Sequence, residues 1–244
     1  MATWKDLEKT LVDSLDLKSP PVAVAFLAAP PAGVRRFMGQ VPSGCGFWSL
    51  AARAPAGKSA FYTVPSDHYN CPIGSYTHHI ELPPERAQEL EGVLGLMVEI
   101  GYLKMEEVPQ IPRWPAQPAA VVYARLADTP VPPDAVLVAA PARATMLLGE
   151  ASRAAGKSSA LPALPRPTCM AIPAAAAHGT TMSLACIGNR IYTGLDDGDL
   201  YSFVRGADLE AVVSALPTIV SANAKLTAYH NQRKPQLTRP DLTA

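Results

Sequence analysis

The chain has 244 residues, with 21 Lys plus Arg balanced by 21 Asp plus Glu and a formal net charge of zero. No basic run or stripe stands out, which argues against nucleic acid as the main partner and removes the electrostatic case for an anionic membrane surface. The length allows a sizeable core, and the 25 prolines, mostly between apolar runs, imply many short elements joined by stiff connections.

The first residues, Met1-Ala2-Thr3-Trp4-Lys5-Asp6-Leu7-Glu8, carry acids early and lack the apolar core of a secretory signal. No apolar run reaches the roughly 18 residues of a spanning helix. The expected compartment is the cytoplasm, where structural disulfides are rare, so the four cysteines read as thiols or metal ligands.

Trp4, Leu7, Leu11 and Leu15 recur at helical spacing, and Thr3 with Asp6 forms a capping-box pattern; the spacing predicts a helix over 3–16. The β-branched run at 22–27 predicts a buried strand. Cys45 is expected to open a short helix, followed by a strand over 60–64 and a second short strand over 80–82. Pro83-Pro84-Glu85 starts the clearest helix, with Leu90, Val93, Leu94, Met97 and Val98 on one face. Residues 110–118, with three prolines and a Trp, read as a connector. Beyond it come strands over 119–126 and 135–139, a helix over 142–155, a proline-rich stretch at 161–167 and a short Ala-rich helix after Cys169. Strands over 181–186 and 200–204 follow, then a helix over 207–226 kinked at Pro217 and a polar tail after Tyr229.

The densest chemistry lies in Asp67-His68-Tyr69-Asn70-Cys71-Pro72-Ile73-Gly74-Ser75-Tyr76-Thr77-His78-His79. It holds three of the five histidines and one of the four cysteines. A weaker echo follows downstream in Cys186-Ile187-Gly188-Asn189-Arg190-Ile191-Tyr192-Thr193. The order of elements repeats around these motifs, with Cys45 and Cys71 in one half and Cys169 and Cys186 in the other. This predicts an α+β protein of two pseudo-symmetric, internally duplicated halves, 1–118 and 119–244, packed into one globular unit.

No C-x-x-C pair is present, so ferredoxin, zinc-ribbon and thioredoxin signatures are absent. Nor is there a G-x-G-x-x-G, a Walker A, a G-x-S-x-G or an H-E-x-x-H motif. Each cysteine falls at an expected turn or helix start, where the helix N-terminus favours the thiolate. Four thiolates from two halves suit a [4Fe–4S] cluster or tetrahedral zinc; inert core thiols are the plain alternative. His78 is a candidate ligand to a haem-like tetrapyrrole, and in a strand His78 and His79 would point to opposite faces. Gly74 and Gly188, each close behind a cysteine, allow close backbone approach to a cluster or anion. Trp48 is a candidate lining residue, and Arg190 a clamp for a carboxylate or phosphate, or else an ion-pair partner of Asp196 and Asp197.

The segments at 20–26, 44–51, 68–78, 133–138, 167–171 and 184–190 (Pro-Pro-Val-Ala-Val-Ala-Phe, Gly-Cys-Gly-Phe-Trp-Ser-Leu-Ala, His-Tyr-Asn-Cys-Pro-Ile-Gly-Ser-Tyr-Thr-His, Pro-Asp-Ala-Val-Leu-Val, Pro-Thr-Cys-Met-Ala and Leu-Ala-Cys-Ile-Gly-Asn-Arg) resemble the DUF169 proteins, an uncharacterised bacterial and archaeal family. The resemblance runs from about Leu17 to Val204. It implies one family unit rather than a fusion and supplies no reaction.

The leading expectation is a cluster or other thiolate-held metal bound by Cys45, Cys71, Cys169 and Cys186, in a redox, sensing or cofactor-handling role, with a redox partner or a small-molecule ligand. The second is a tetrapyrrole or small-molecule module with its cleft between the halves, lined by Cys71, His78 and Trp48. The third is a thiol-dependent enzyme using Cys71 or Cys45 as nucleophile.

Overall fold

The structure, a computed structural model, describes residues 2–158 and 166–234. Most of the expected proline-rich stretch and the end of the polar tail lie outside them. The elements are α1 (Trp4–Leu15), β1 (Val22–Leu27), β2 (Arg35–Arg36), α2 (Cys45–Arg53), β3 (Phe61–Thr63), α3 (Pro72–Thr77), α4 (Pro84–Glu99) and β4 (Ala120–Arg125) in the first part. They continue with β5 (Ala135–Pro141), α5 (Ala142–Ala154), α6 (Ala171–His178), β6 (Thr181–Ser183), α7 (Ile187–Thr193), β7 (Asp199–Arg205) and α8 (Leu209–Arg233).

Local chemistry accounts for the first helix. The Asp6 N–H donates to Thr3 Oγ1 at 3.2 Å and the Thr3 N–H donates to the Asp6 carboxylate at 3.1 Å, closing the expected capping box. Leu7, Leu11 and Leu15 then fall on one buried face.

The strands form one sheet in the order β2-β3-β4-β1-β5-β7-β6, antiparallel throughout except for β2 with β3. Side-chain alternation sends Val22, Val24, Val121, Tyr123, Leu137 and Phe203 to one face, packed with α2 and α6. It sends Ala23, Val136, Val138 and Val204 to the other, packed with α1, α5 and α8. The molecule is an α+β protein with a helical layer on each side of the sheet.

The pairing carries a two-fold relation. Val22 pairs with Arg125 and Phe26 with Val121 across β1 and β4; Ala135 pairs with Arg205 and Ala139 with Tyr201 across β5 and β7. Phe61 pairs with Tyr123, and Thr181 with Phe203. All three pairings keep one register when residues 22–27 are matched to 135–140, 120–125 to 200–205 and 61–63 to 181–183. At the centre Val22 faces Leu137, Ala23 faces Val136 and Val24 faces Ala135, which is a strand meeting its own equivalent about the Ala23/Val136 pair. The outer edges repeat as well: β2 runs parallel to β3, and Ser158 makes a parallel bridge to Thr180 beside β6. This relation groups β4 with β1 and β3, although it follows the connector that was expected to divide the halves.

Several expectations shift. Residues 80–82 form no strand; the Ile80 N–H returns to the Ser75 carbonyl at 2.9 Å, and Pro83 and Pro84, which lack the N–H a ladder needs, follow at once. β6 stops at Ser183, because the chain turns through Ala185 at φ 63° before α7. β2, only two residues long, carries no periodicity to read. α8 continues through Pro217 to Arg233. By length and composition alone the stretch Gly206–Arg233 could cross a membrane, but Leu209, Val212, Val213 and Leu216 are buried in the second core. α4 forms as expected, yet none of its residues is buried.

Candidate functional site

Four chain turns bring the cysteines together above one face of the sheet. Cys45 opens α2 behind Gly44, and Cys169 lies in a single 3₁₀ turn, Thr168–Met170, ahead of α6; both are buried. Cys71 and Cys186 are the N-caps of α3 and α7 and are half-buried. All four are free thiols. Pro72, at the first position of α3, has no N–H to leave unsatisfied.

Contacts within each half hold the turns. Ser43 Oγ lies 3.6 Å from Cys71 Sγ, and the Cys186 N–H donates to Thr168 Oγ1 at 2.7 Å. A Cβ on Gly74 would sit 2.8 Å from Cys71 Sγ, so this glycine makes room for the sulfur. Gly188 has no such role; its nearest neighbour would be the Tyr192 ring at 3.9 Å. Contacts between halves complete the arrangement. Cys45 faces the Asn189 carboxamide on α7, and Cys169 faces Thr77 on α3. The Asn189 contact is loose, since neither polar atom of that buried carboxamide completes a hydrogen bond among the described residues.

Burial pushes the Cys45 thiol up to about 12, with the Cys71 charge adding to it and Asn189 opposing. Cys169 is raised well above the ordinary thiol range, first by burial and then by the charges of Cys45 and Cys71. The helix-start effect expected to favour thiolates is outweighed at Cys45 by loss of water. Cys169 feels the charges of the other three cysteines, and Cys45 those of Cys71 and Cys186. Even so, among the described residues no three His, Cys, Asp or Glu side chains are disposed to hold a single metal ion.

Sequence reasoning missed the floor of this site. Tyr123, fully buried on β4, leaves its hydroxyl without a hydrogen-bond partner among the described residues, and its phenol is raised well above its usual range by burial and then by Cys45, Cys169 and Cys71. The signal was present: a single tyrosine on the inward register of an otherwise aliphatic strand.

The histidines are interior groups. His68 Nε2 lies 2.8 Å from Thr63 Oγ1, whose hydroxyl donates to the Val121 carbonyl, so Nε2 carries the proton. His78 is buried, with both ring nitrogens unpartnered among the described residues, edge-on to Phe26 at 5.0 Å, and burial lowers it to about 4. His79 diverges from it, in a left-handed turn at φ 57° rather than in a strand, with Nδ1 2.8 Å from the Trp114 carbonyl oxygen.

Arg190 donates to the carbonyls of Leu184, Asp196 and Asp199 at 2.7, 2.8 and 3.1 Å, and its guanidinium lies 3.8 Å from Asp197. It ties the α7–β7 turn together. Trp48 is almost fully buried and meets Tyr201 and Phe203 edge-on. It also lines a cleft of about 180 Å³ between α2 and the turn after α7. That is below the roughly 300–1,000 Å³ of pockets for drug-sized ligands, and neither Cys71 nor His78 reaches it.

No curated protein and no solved structure matches the chain. The sequence profile of one family, DUF169, described as uncharacterised ArCR, matches residues 10–215, wider at both ends than the resemblance read from the motifs. That span covers the whole sheet, all four cysteines and the helices that carry them, and the chain belongs to the DUF169 family.

Proposed function

We propose that this protein holds an iron–sulfur cluster, or another thiolate-bound metal, between its two halves, with Cys45, Cys71, Cys169 and Cys186 as ligands. One observation carries the reading: four free thiols come from four separate turns of two related halves, and the two buried ones, Cys45 and Cys169, both lie within reach of the charges of Cys71 and Cys186. Like charges gathered in this way suppress ionisation, and a bound cation reverses that preference. Among the described residues no trio of such side chains is disposed to hold a single ion, so the reading rests on the donor chemistry of the four thiols, which would suit a cluster or a tetrahedral metal.

The donor set fits such a group, and a cluster held there would supply one-electron chemistry. Cys45 and Cys169 must lose protons on binding, so metal uptake strengthens as pH rises. Cys71 and Cys186, half-exposed, face the side from which a redox partner would approach. The thiol-enzyme reading is weaker for Cys45, whose raised pKa makes it a poor nucleophile.

The test is anaerobic purification, reconstitution with iron and sulfide, and metal analysis with an absorption spectrum. The expected result is a brown protein with a broad charge-transfer band that is lost in Cys71→Ser and Cys186→Ser. Stoichiometric zinc in a colourless protein would keep the four-thiol site and remove the cluster. Absence of stoichiometric metal after anaerobic reconstitution would overturn the reading.

A further inference from the structure

The two-fold relation allows the cleft beside Trp48 to be compared with its own counterpart. The open copy is lined by Lys18, Trp48, Arg53, Ala139, Thr193 and Tyr201. By register, Phe26 stands for Ala139 and Val121 for Tyr201. Thr77 and His78 stand for Thr193 and Gly194, as the last residue and C-cap of α3 and α7.

The counterpart is filled. The Trp114 indole, brought in by the connector, stacks on Phe26 with centroids 4.1 Å apart and planes 17° from parallel. The Trp114 backbone N–H donates to the Thr77 carbonyl at 2.8 Å. In the open copy, Arg53 Nη2 donates to the equivalent Thr193 carbonyl at 2.9 Å, and Ala139 lines the cleft.

Two large side chains, Phe26 and His78, are thus replaced by Ala139 and Gly194 at equivalent positions. Tyr201 in place of Val121 returns part of the lost volume and meets Trp48 edge-on at 5.7 Å. What remains is about 180 Å³, bordered by two aromatic rings. An apolar cavity of roughly 150 Å³ is enough to bind benzene. At the mouth Lys18 and Arg53 are balanced by Asp196 and Asp199, so charge selects neither sign.

We propose that the open copy is a binding site for a planar aromatic or heteroaromatic ring of about indole size, laid on the sheet beside Trp48 and Tyr201 as Trp114 is laid on Phe26. The filled half shows from within the same molecule what this frame accommodates. The proposal is independent of the thiol site, since no cysteine lines the cleft.

The test is titration of the full chain with indole, with cyclooctanol as a non-planar control, followed by amide NMR. Saturable shifts are expected around Ala139, Thr193 and Tyr201, with cyclooctanol weaker by up to roughly tenfold, the range that aromatic pairing supplies. Ala139→Phe, which rebuilds the filled half's ring, should abolish binding without lowering the melting temperature; Ala139→Leu serves if that variant does not fold. Trp114→Ala should add a second indole site. Non-saturable shifts, equal binding of cyclooctanol, or indole binding unchanged in Ala139→Phe or Ala139→Leu would overturn the proposal.

Discussion

At the scale of single residues, the four cysteines divide into two kinds. Cys45 and Cys169 are buried and protonated, while Cys71 and Cys186 cap short helices with partial access to solvent. Metal-free native protein at pH 8 should therefore take up alkylating reagent at Cys71 and Cys186 first. Cys45 and Cys169 should react only on unfolding, as peptide mass spectrometry would record. Early labelling of Cys45 would contradict the burial argument. His78 gives a pH signature. Its imidazole is neutral in the fold down to about 4, against 6.5 in the unfolded chain, so below 6.5 the unfolded state binds a proton that the folded state refuses. Stability should be fully present above pH 6.5 and fall between 6.5 and 4, by on the order of 3 kcal/mol from this group. Urea midpoints across that window should show the slope, reduced in His78→Phe. The cysteines were legible in the sequence because free thiols at turns are rare and chemically pointed. Tyr123 and Asn189 were not, since their importance comes from what the sheet and α7 place beside them.

At the scale of elements, α1 is fixed to the sheet by a buried charge. The Glu8 carboxylate accepts from Arg125 Nη2 at 2.7 Å and from the Ala127 N–H at 2.8 Å, with little exposure. Removing one member of such a pair strands the other, so Glu8→Ala should cost roughly 3 kcal/mol, and Glu8→Gln less because it keeps an acceptor. Denaturant midpoints would check both, and equal losses would contradict the account. Elements with strong periodicity or a cap were readable: α1 from its leucines and Thr3/Asp6, β1 from its β-branched run, α4 from its paired prolines. The misreadings share one cause. Residues 80–82 and 184–186 have strand-like composition, but tertiary turns at Ser75–Ile80 and Ala185 take the backbone elsewhere. α4 shows the converse: its apolar stripe foretold a helix correctly and burial wrongly.

At the scale of the whole molecule, the two halves share a register along the sheet, yet they differ where chemistry is expected. The motif echo around Cys71 and Cys186 hinted at this relation, and the strand order β3-β4-β1-β5-β7-β6 displays it. The divergence could not be read in advance. Phe26 against Ala139 becomes a comparison only when β1 and β5 are known to be equivalent, and Trp114 reaches its place through a connector without periodicity. The central position of β1 also bears on how the chain folds. Val22–Leu27 finds both its neighbours far downstream, the first only at Ala120 and the second at Ala135. During synthesis this apolar strand stays unpaired on both edges until more than half of the chain has emerged. Closing such distant contacts makes folding slow and leaves the nascent chain dependent on protection from aggregation.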